Sequence, residues 1–249
     1  MIRLEDVTKT FASHDAVHSV SFCVEDGETL AVIGGSGSGK STLLRLIIGL
    51  IRPTSGRIWI GDAEISQMSE AELDVVRLKM GMVFQYSALF DSMTVGENVA
   101  FGLREHRRLK ESEIERIVRE KLQLVGLAGS ERMMPGELSG GMKKRVSLAR
   151  AIAIDPAVIL YDEPSSGLDP ITSAKIDDLI IETQRKLCVT SVVVTHDMAS
   201  ACRIADRIAM LDRGELIALD TVERFRKLED PRVRAFFRAV EMEEKEARI

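Results

Sequence analysis

A nine-residue segment of glycine, serine, lysine and threonine, residues 34–42, constrains this chain more than any other feature. It follows a short apolar segment, Thr29–Ile33, and its last two residues begin a segment with helical spacing, Ser41–Leu50,. It matches the pattern G-x-x-x-x-G-K-[ST] in the strand–loop–helix setting that this pattern requires. Glycines let successive backbone N–H groups turn toward an anion, and the following helix directs its positive end at the same place. The predicted phosphate-binding residues are Gly34, Gly35, Ser36, Gly37, Ser38, Gly39, Lys40, Ser41 and Thr42.

The residues that follow these glycines suit a nucleoside triphosphate with a divalent cation. The Lys40 ammonium is expected to reach the β- and γ-phosphates and so to take part in catalysis. The Ser41 hydroxyl is expected to ligate Mg²⁺. A Gly/Ser turn with a solvated lysine would use the same residue types, but the flanking strand and helix favour the phosphate site.

Short apolar segments alternate with longer segments of helical spacing along the chain. This alternation predicts an α/β fold in which helices cover both faces of a parallel sheet. The turn Gly61-Asp62 within Arg57–Ile65 predicts an antiparallel β layer beside that sheet, and residues 87–154 predict a helical insertion,. The predicted strands are Thr29–Ile33, Ile58–Ile60, Val158–Tyr161 and Thr190–Val194. The predicted helices are Ser41–Leu50, Glu70–Lys79, Glu111–Val125, Met142–Ile154, Ile171–Lys186 and Met198–Ile204.

Three polar side chains follow predicted strands, at the sheet edge where open parallel sheets bind ligands. Asp162 is expected to hold Mg²⁺ or its water shell, and Glu163 to orient and polarise the water that attacks the γ-phosphate. The alternative for this pair is an acidic turn that caps the next helix. We expect His196, after Thr190–Val194, to contact the γ-phosphate rather than to serve a purely structural role.

Two further helix starts carry capping residues. Ser139 is a good N-cap, and Gly140 and Gly141 expose backbone N–H groups, so this helix start is a candidate second anion site,. Asp169 before Pro170 is typical of a helix N-terminus, and capping alone accounts for that pair as well as a functional role does.

Composition and charge exclude several classes of protein. The net charge of −5 provides no basic field for nucleic acid, and we interpret the clusters Arg104–Lys110 and Lys143–Arg145 as solvated helix faces,. Three cysteines without a CxxC pair indicate reduced, mostly buried thiols,. No apolar stretch approaches the roughly 20 residues of a spanning helix, so we expect a cytoplasmic chain whose membrane role comes through a partner.

The ordered set of motifs resembles the ATP-binding subunits of ABC transporters over residues 1 to about 225, with Leu138-Ser-Gly-Gly-Met142 in place of the usual LSGGQ. The resemblance implies the ABC ATPase fold, a P-loop (RecA-like) parallel sheet with an N-terminal antiparallel layer and a helical subdomain at about 87–154. Residues 226–249 are expected to form a helical, charged extension. The resemblance also implies that Phe11 stacks on adenine, that Gln85 joins the Mg²⁺ site to the helical insert, and that Asp169 lies in a dimer contact.

The same resemblance implies an assembly. Ser139, Gly140 and Gly141 of one chain would cover the ATP held by Lys40 of a second ATPase subunit, and a permease would dock beside Gln85, where residues 89–95 form a candidate stripe. The segment Gln85–Val99 and the signature resemble the Mla/Mce lipid-transport group, which adds an MCE-domain lipid-binding protein as a partner and places the chain on the inner face of the cell membrane. A polar amino-acid importer is the alternative, followed by a soluble ABC ATPase of repair or translation.

Overall fold

The computed structural model describes residues 1–12 and 14–237, and the chain separates into two compact units. The first unit combines Met1–Leu73 with Val192–Ile249, and the second comprises Asp74–Ser191. Residues 238–249 of the expected helical, charged extension lie outside the described residues. The strands are β1 Ile2–Phe11, β2 His14–Val24, β3 Thr29–Ile33, β4 Ser55–Ile60, β5 Ala63–Glu64, β6 Met80–Val83, β7 Val158–Asp162, β8 Thr190–Val194, β9 Arg207–Asp212 and β10 Glu215–Thr221. The helices are α1 Lys40–Ile47, α2 Glu70–Arg77, α3 Val95–His106, α4 Glu111–Leu124, α5 Gly140–Ile152, α6 Pro170–Leu187, α7 Met198–Ile204 and α8 Val222–Phe225.

The first unit contains an antiparallel sheet with the strand order β2-β1-β4-β5. Its long strands β1 and β2 pair with Ile2 opposite Val24 and Leu4 opposite Phe22, and all four side chains are buried. Apolar residues two positions apart point to one face of a strand, which explains why this face forms a core. The antiparallel hairpin β4–β5 turns at Gly61, whose φ of 60° is left-handed, so this part of the prediction is confirmed,.

A second sheet of the first unit runs in the order β10-β9-β3-β8. Every residue of β3 is buried, and β3 pairs with β9 in parallel, with Val32 opposite Ala209. Continuous burial of a β-branched run is the pattern of an interior parallel strand. The antiparallel pair β9–β10 was not among the predicted strands.

The C-terminal part of the described chain packs into the core of the first unit. Residues 231–237 are helical, and Val233 is fully buried beside Phe225. The same cluster contains Ile33, Met198 and Met210, which come from β3, α7 and β9.

The second unit carries a short parallel ladder and the helices α3 to α6. Strand β6 pairs with β7, with Met80 opposite Val158. Helix α3 begins with a capping box in which Thr94 and Glu97 bond to each other's backbone N–H groups,. The predicted helical subdomain, 87–154, lies wholly within this unit. Among the described residues, no helix is long and apolar enough to cross a membrane.

Candidate functional site

The P-loop of the first unit has the backbone that its glycines predict. Gly34, Gly37 and Gly39 have φ angles of 151°, 76° and 103°, values that residues with a side chain rarely adopt,. A Cβ atom on Gly34 would clash with the Leu211 carbonyl oxygen, and one on Gly39 with the Ala16 carbonyl oxygen. Two neighbouring strands thus approach the loop so closely that only glycine fits. The three residues at its apex, Gly35, Ser36 and Gly37, are exposed.

Lys40 and Ser38 lie inside this loop. Helix α1 begins at Lys40, with Gly39 as its N-cap, so its N–H groups open toward the loop,. The Lys40 ammonium donates hydrogen bonds to the carbonyl oxygens of Gly34, at 2.7 Å, and Gly35, at 2.9 Å. The buried Ser38 hydroxyl has no hydrogen-bond partner among the described residues. A curled backbone that holds an ammonium and an unsatisfied hydroxyl fits a phosphate chain. Ser41 and Thr42 follow in the first turn of α1 and are half-buried.

His196 is brought to the same sheet edge as the P-loop. The Thr195 N–H donates to the Val32 carbonyl oxygen at 3.1 Å, so the end of β8 lies beside the end of β3. His196 follows immediately and is exposed, and Asp197 caps helix α7 through the Ser200 N–H,. The predicted histidine is therefore at the place where β3 passes into the P-loop.

Phe11 ends strand β1 and is 48% exposed. The Lys9 ammonium lies 5.1 Å from the centroid of its ring. An exposed ring face at a strand end is available for stacking on a planar base, as the prediction requires.

In the second unit, the predicted carboxylates end strand β7. Asp162 and Glu163 are both half-buried. Glu163 has a φ of 48°, which is uncommon for a residue other than glycine,. Residues with strained backbones of this kind cluster at functional sites. The Ser166 N–H donates to the Glu163 carbonyl oxygen at 3.2 Å and closes the turn after the strand.

Gln85 is brought to this same turn. Its side-chain amide nitrogen lies 3.5 Å from the Ser166 hydroxyl oxygen. The Lys144 ammonium donates to the backbone carbonyl oxygen of Gln85 and, at 3.3 Å, to that of Glu163. The structure therefore joins two of the predicted site residues through a lysine that the sequence analysis did not select.

The interpretation of Lys143–Arg145 as a solvated helix face is wrong for this lysine. Lys144 is only 6% exposed, and burial lowers the pKa of its ammonium, opposed by the charges of Glu163 and Asp162,. Arg145 is half-buried and donates to the Val125 carbonyl oxygen at 3.2 Å. A usable signal was present, because Lys144 follows Gly141 by three residues and precedes Leu148 by four, on one buried face of α5,. The exposed cluster Arg104–Lys110 has the solvated character that was predicted.

The signature lies at the start of helix α5. The Ser139 hydroxyl caps the helix by accepting from the Met142 N–H at 3.3 Å. Ser139 and Gly140 are exposed, whereas Gly141 is buried, and a Cβ atom there would lie 2.7 Å from a methyl group of Thr172. The exposed start of α5 thus presents backbone N–H groups to solvent, as an anion site requires.

Asp169 is the N-cap of helix α6. Its carboxylate accepts from the N–H groups of Ile171 and Thr172, both at 3.0 Å. Hydrogen bonding from the Thr172 side chain and backbone holds the pKa of Asp169 below its ordinary value,. The capping interpretation is confirmed, and the dimer contact stays a prediction.

The candidate docking stripe, residues 89–95, is divided by the structure. Phe90 is 41% exposed, Val95 is fully buried, and Tyr86, outside the stripe, is 87% exposed. Asn98 holds the Phe90 backbone through both its N–H and its carbonyl oxygen. Of these three side chains, Tyr86 and Phe90 are therefore exposed, and Val95 belongs to the core.

A second cation of α5 fixes the backbone of this segment. Arg150 donates to the carbonyl oxygens of Ser87, at 3.0 Å, and Ala88, at 2.6 Å. Ser87 and Ala88 are left-handed, with φ angles of 62° and 46°. Burial lowers the pKa of the Arg150 guanidinium, and its carbon lies 6.0 Å from the Phe90 ring centroid. No sequence pattern marks this arginine, because its acceptors are backbone atoms.

The cysteines differ in part from expectation. Cys188 is exposed, and Cys23 and Cys202 are half-buried, so "mostly buried" was wrong for these thiols. Burial raises the pKa of Cys23, which keeps its thiol protonated,.

Comparisons with known proteins agree with this geometry. Residues 17–166 match the family model described as ABC transporter. The chain is 44% identical over 235 residues to the probable ribonucleotide transport ATP-binding protein Mkl of Mycobacterium leprae, with 94% of this chain and 68% of that protein covered. It is 42% identical over 236 residues to MlaF, the intermembrane phospholipid transport system ATP-binding protein of Escherichia coli K12, with 95% and 88% covered.

A methionine importer subunit and a solved structure are also similar. The methionine import ATP-binding protein MetN 2 of Rhodococcus jostii is 46% identical over 226 residues, with 89% of this chain and 66% of that protein covered. The dimeric structure of the ATP-binding cassette MJ0796 in a post-hydrolysis state, bound to ADP and Pi, has a TM-score of 0.83 and 34% identity, with 89% of this chain and 99% of that chain covered. The chain therefore belongs to the ABC transporter family, as the ATP-hydrolysing motor subunit of a transporter.

Proposed function

We propose that this chain hydrolyses Mg·ATP to drive lipid transport of the Mla/Mce type. The observation that carries the proposal is the pairing of a likeness to MlaF with the exposed aromatic side chains Tyr86 and Phe90 beside Gln85. An aromatic surface next to the residue that links nucleotide and helical subdomain suits contact with a membrane partner.

The nucleotide chemistry is distributed over named side chains. Lys40 and the P-loop N–H groups hold the phosphates, while Ser41, Asp162 and Gln85 supply oxygen ligands for Mg²⁺. Glu163 accepts the proton of the attacking water, and His196 donates to the γ-phosphate. These groups stabilise charge by position, which is the dominant effect in phosphoryl transfer.

Two copies of the chain complete each nucleotide site. The exposed start of α5, with Ser139 and Gly140, presents N–H groups that can donate hydrogen bonds to an anion bound by another chain,. The MJ0796 cassette is dimeric in its ADP-bound state, which supports this arrangement. Asp169, exposed at the start of α6, lies in the contact between the two copies.

The partners follow from the proposed task. An integral-membrane permease docks on Tyr86 and Phe90, and an MCE-domain lipid-binding protein joins the complex. The chain is peripheral on the inner face of the cell membrane. The nucleotide state reaches the permease because Gln85 and the docking residues belong to one short segment.

Import of methionine is the second candidate. The 46% identity to MetN 2 favours it, since that value is similar to the identity with MlaF and Mkl. Identity alone therefore does not separate the substrates.

The deciding experiment is affinity purification of the full chain from native membranes, followed by mass spectrometry of proteins and lipids. We expect a permease, an MCE-domain protein and enriched phospholipid. The control is a parallel purification of the Lys40→Ala variant, which lacks nucleotide-binding competence. It measures the lipid that is carried over with the membrane. Recovery of an amino-acid permease with a solute-binding protein, and no enriched lipid, would overturn the lipid assignment and favour the second candidate.

A further inference from the structure

Lys144 is a buried cation on the signature helix, and none of the roles assigned so far to that helix uses it. It lies on helix α5, five residues after the capping Ser139, and is 6% exposed. An ammonium in such a place is costly unless oxygen atoms surround it. Its acceptors are two backbone carbonyl oxygens, those of Gln85 and Glu163, and the charges of Glu163 and Asp162 favour the ammonium form.

These two carbonyl groups belong to the two segments that must cooperate in hydrolysis. Gln85 begins the segment with the exposed aromatic residues, and Glu163 carries the carboxylate that the proposed function assigns to the attacking water. They are 78 residues apart in sequence, yet one ammonium bonds both backbones. A shift of either segment relative to α5 therefore changes the hydrogen bonds of the other.

The Glu163 backbone needs support of this kind. Its φ of 48° lies in the left-handed region, which is unfavourable for a residue with a side chain,. Surrounding contacts must hold such a residue, and the bonds to its carbonyl oxygen come from the Ser166 N–H and the Lys144 ammonium,. The direction of the Glu163 carboxylate depends on that backbone.

We propose that Lys144 is a positioning residue for ATP hydrolysis, which orients Glu163 and couples it to Gln85 from the signature helix. It does not touch the nucleotide. Its effect is on the geometry of the reacting water, so it acts on turnover and leaves nucleotide affinity unchanged. The proposal rests on the role proposed above for Glu163 in ATP hydrolysis and is independent of the transported molecule.

The test uses the purified full chain and three variants of one helix. Lys144→Met keeps the length of the side chain and removes the donor, Lys144→Arg keeps a cationic donor, and Lys143→Met is the matched control, since Lys143 is half-buried on the same helix. Turnover and KM for ATP, the affinity for a fluorescent ATP analogue, and the midpoint of thermal unfolding are measured for each.

We expect Lys144→Met to lower kcat about tenfold with KM changed less than about twofold, as for a lost positioning contact. Lys144→Arg should recover part of the loss, and Lys143→Met should stay within about twofold of the wild type. In single-turnover measurements on a Glu163→Gln background, Lys144→Met should lower the rate by less than about a further twofold, because its effect passes through Glu163.

A folded Lys144→Met protein with wild-type kcat would overturn the proposal. So would parallel losses in kcat and nucleotide affinity, or a full additional loss on the Glu163→Gln background, because these indicate a general disturbance of α5. If Lys144→Met does not fold, Lys144→Gln decides, because its amide can still donate to one carbonyl oxygen. An intermediate kcat with unchanged KM supports the proposal, and wild-type kinetics overturns it.

Discussion

At the scale of single residues, the candidate site depends on a few side chains whose charge or backbone is unusual. The Lys40 ammonium is buried against carbonyl oxygens of its own loop, and Glu163 occupies a left-handed backbone position. Both arrangements are unfavourable by themselves, and both suit a group that must meet a charged ligand in one orientation.

Lys40→Ala should remove most ATP hydrolysis, with a loss of about a hundredfold or more, because electrostatic stabilisation of the phosphates dominates the reaction. The measurement is phosphate release by protein purified free of contaminating ATPase. The unfolding midpoint provides the control, since the carbonyl oxygens of Gly34 and Gly35 also lose a donor. Undiminished turnover would show that this loop is not the catalytic phosphate site.

Glu163→Gln should retain ATP binding while turnover falls, because the amide keeps the shape of the carboxylate and loses its capacity to accept a proton. Bound ATP should then persist and hold two chains together. Size-exclusion chromatography with Mg·ATP measures the dimer, and the same run with Mg·ADP is the control. A variant that stays monomeric well above its ATP affinity, even with its permease present, contradicts the proposed dimer.

At the scale of elements, helix starts and strand ends place the functional groups. Helices α1, α5 and α6 begin at Lys40, Gly140 and Pro170, and each is preceded by a predicted capping or loop residue. The last residues of β3, β7 and β8 lead directly into the P-loop, the carboxylate pair and His196. Local sequence signals mark such ends well, because caps and turns are satisfied within a few residues.

Asp169→Asn should destabilise the nucleotide-free protein at pH 7 and have little effect at low pH. The native hydrogen bonds depress the pKa of Asp169, so their contribution is present above the ordinary carboxyl value of 3.8 and is lost as pH falls through the lower native value,. Urea unfolding of both proteins between pH 7 and pH 3 measures the difference. A constant difference across that range would mean that charge at the cap is unimportant.

Tyr86→Glu and Phe90→Glu should uncouple the chain from its permease and leave ATP binding intact, because both side chains are exposed in the chain by itself. Co-purification with the permease and nucleotide affinity are the two measurements. Phe90 also packs on Phe101, at 4.8 Å between ring centroids, so circular dichroism is needed for that variant. Val95→Glu, at a fully buried position, is the matched control and should unfold the helical part. Normal permease binding by Tyr86→Glu would remove this surface from the proposed interface.

At the scale of the whole molecule, the two compact units are interleaved in sequence. The first unit takes residues from both ends of the chain, and the second is the continuous stretch Asp74–Ser191. The core of the first unit contains β3 near the N-terminus and Val233 near the end of the described residues. Packing of this kind makes the C-terminal segment a structural part of the nucleotide-binding unit.

Val233→Ala should reduce the free energy of unfolding by roughly 2 kcal/mol, through lost burial and the cavity left behind. Val75→Ala is the matched control, because Val75 is 62% exposed on a helix and alanine favours helices,. Urea denaturation of both variants measures the effect. Equal stabilities would show that the C-terminal segment contributes nothing to the core of the first unit.

The sequence by itself determined the elements whose signals are local. The strands Thr29–Ile33 and Thr190–Val194 and the helix Met198–Ile204 have the predicted bounds, because continuous apolar runs and caps act over a few residues,. The P-loop glycines were equally predictable, since a backbone that curls around an anion requires positive φ angles at glycine,.

Tertiary structure alone decided which charged and apolar side chains are buried. Lys144 and Arg150 are held by carbonyl oxygens 19 to 63 residues away, and Phe90 is exposed while Val95 is buried. Bulges likewise interrupt the alternation of side chains in the long strands β1 and β2,. No short stretch of sequence shows where these bulges fall. Burial is a property of the partners that folding brings together, and a backbone acceptor has no residue type for a sequence pattern to mark.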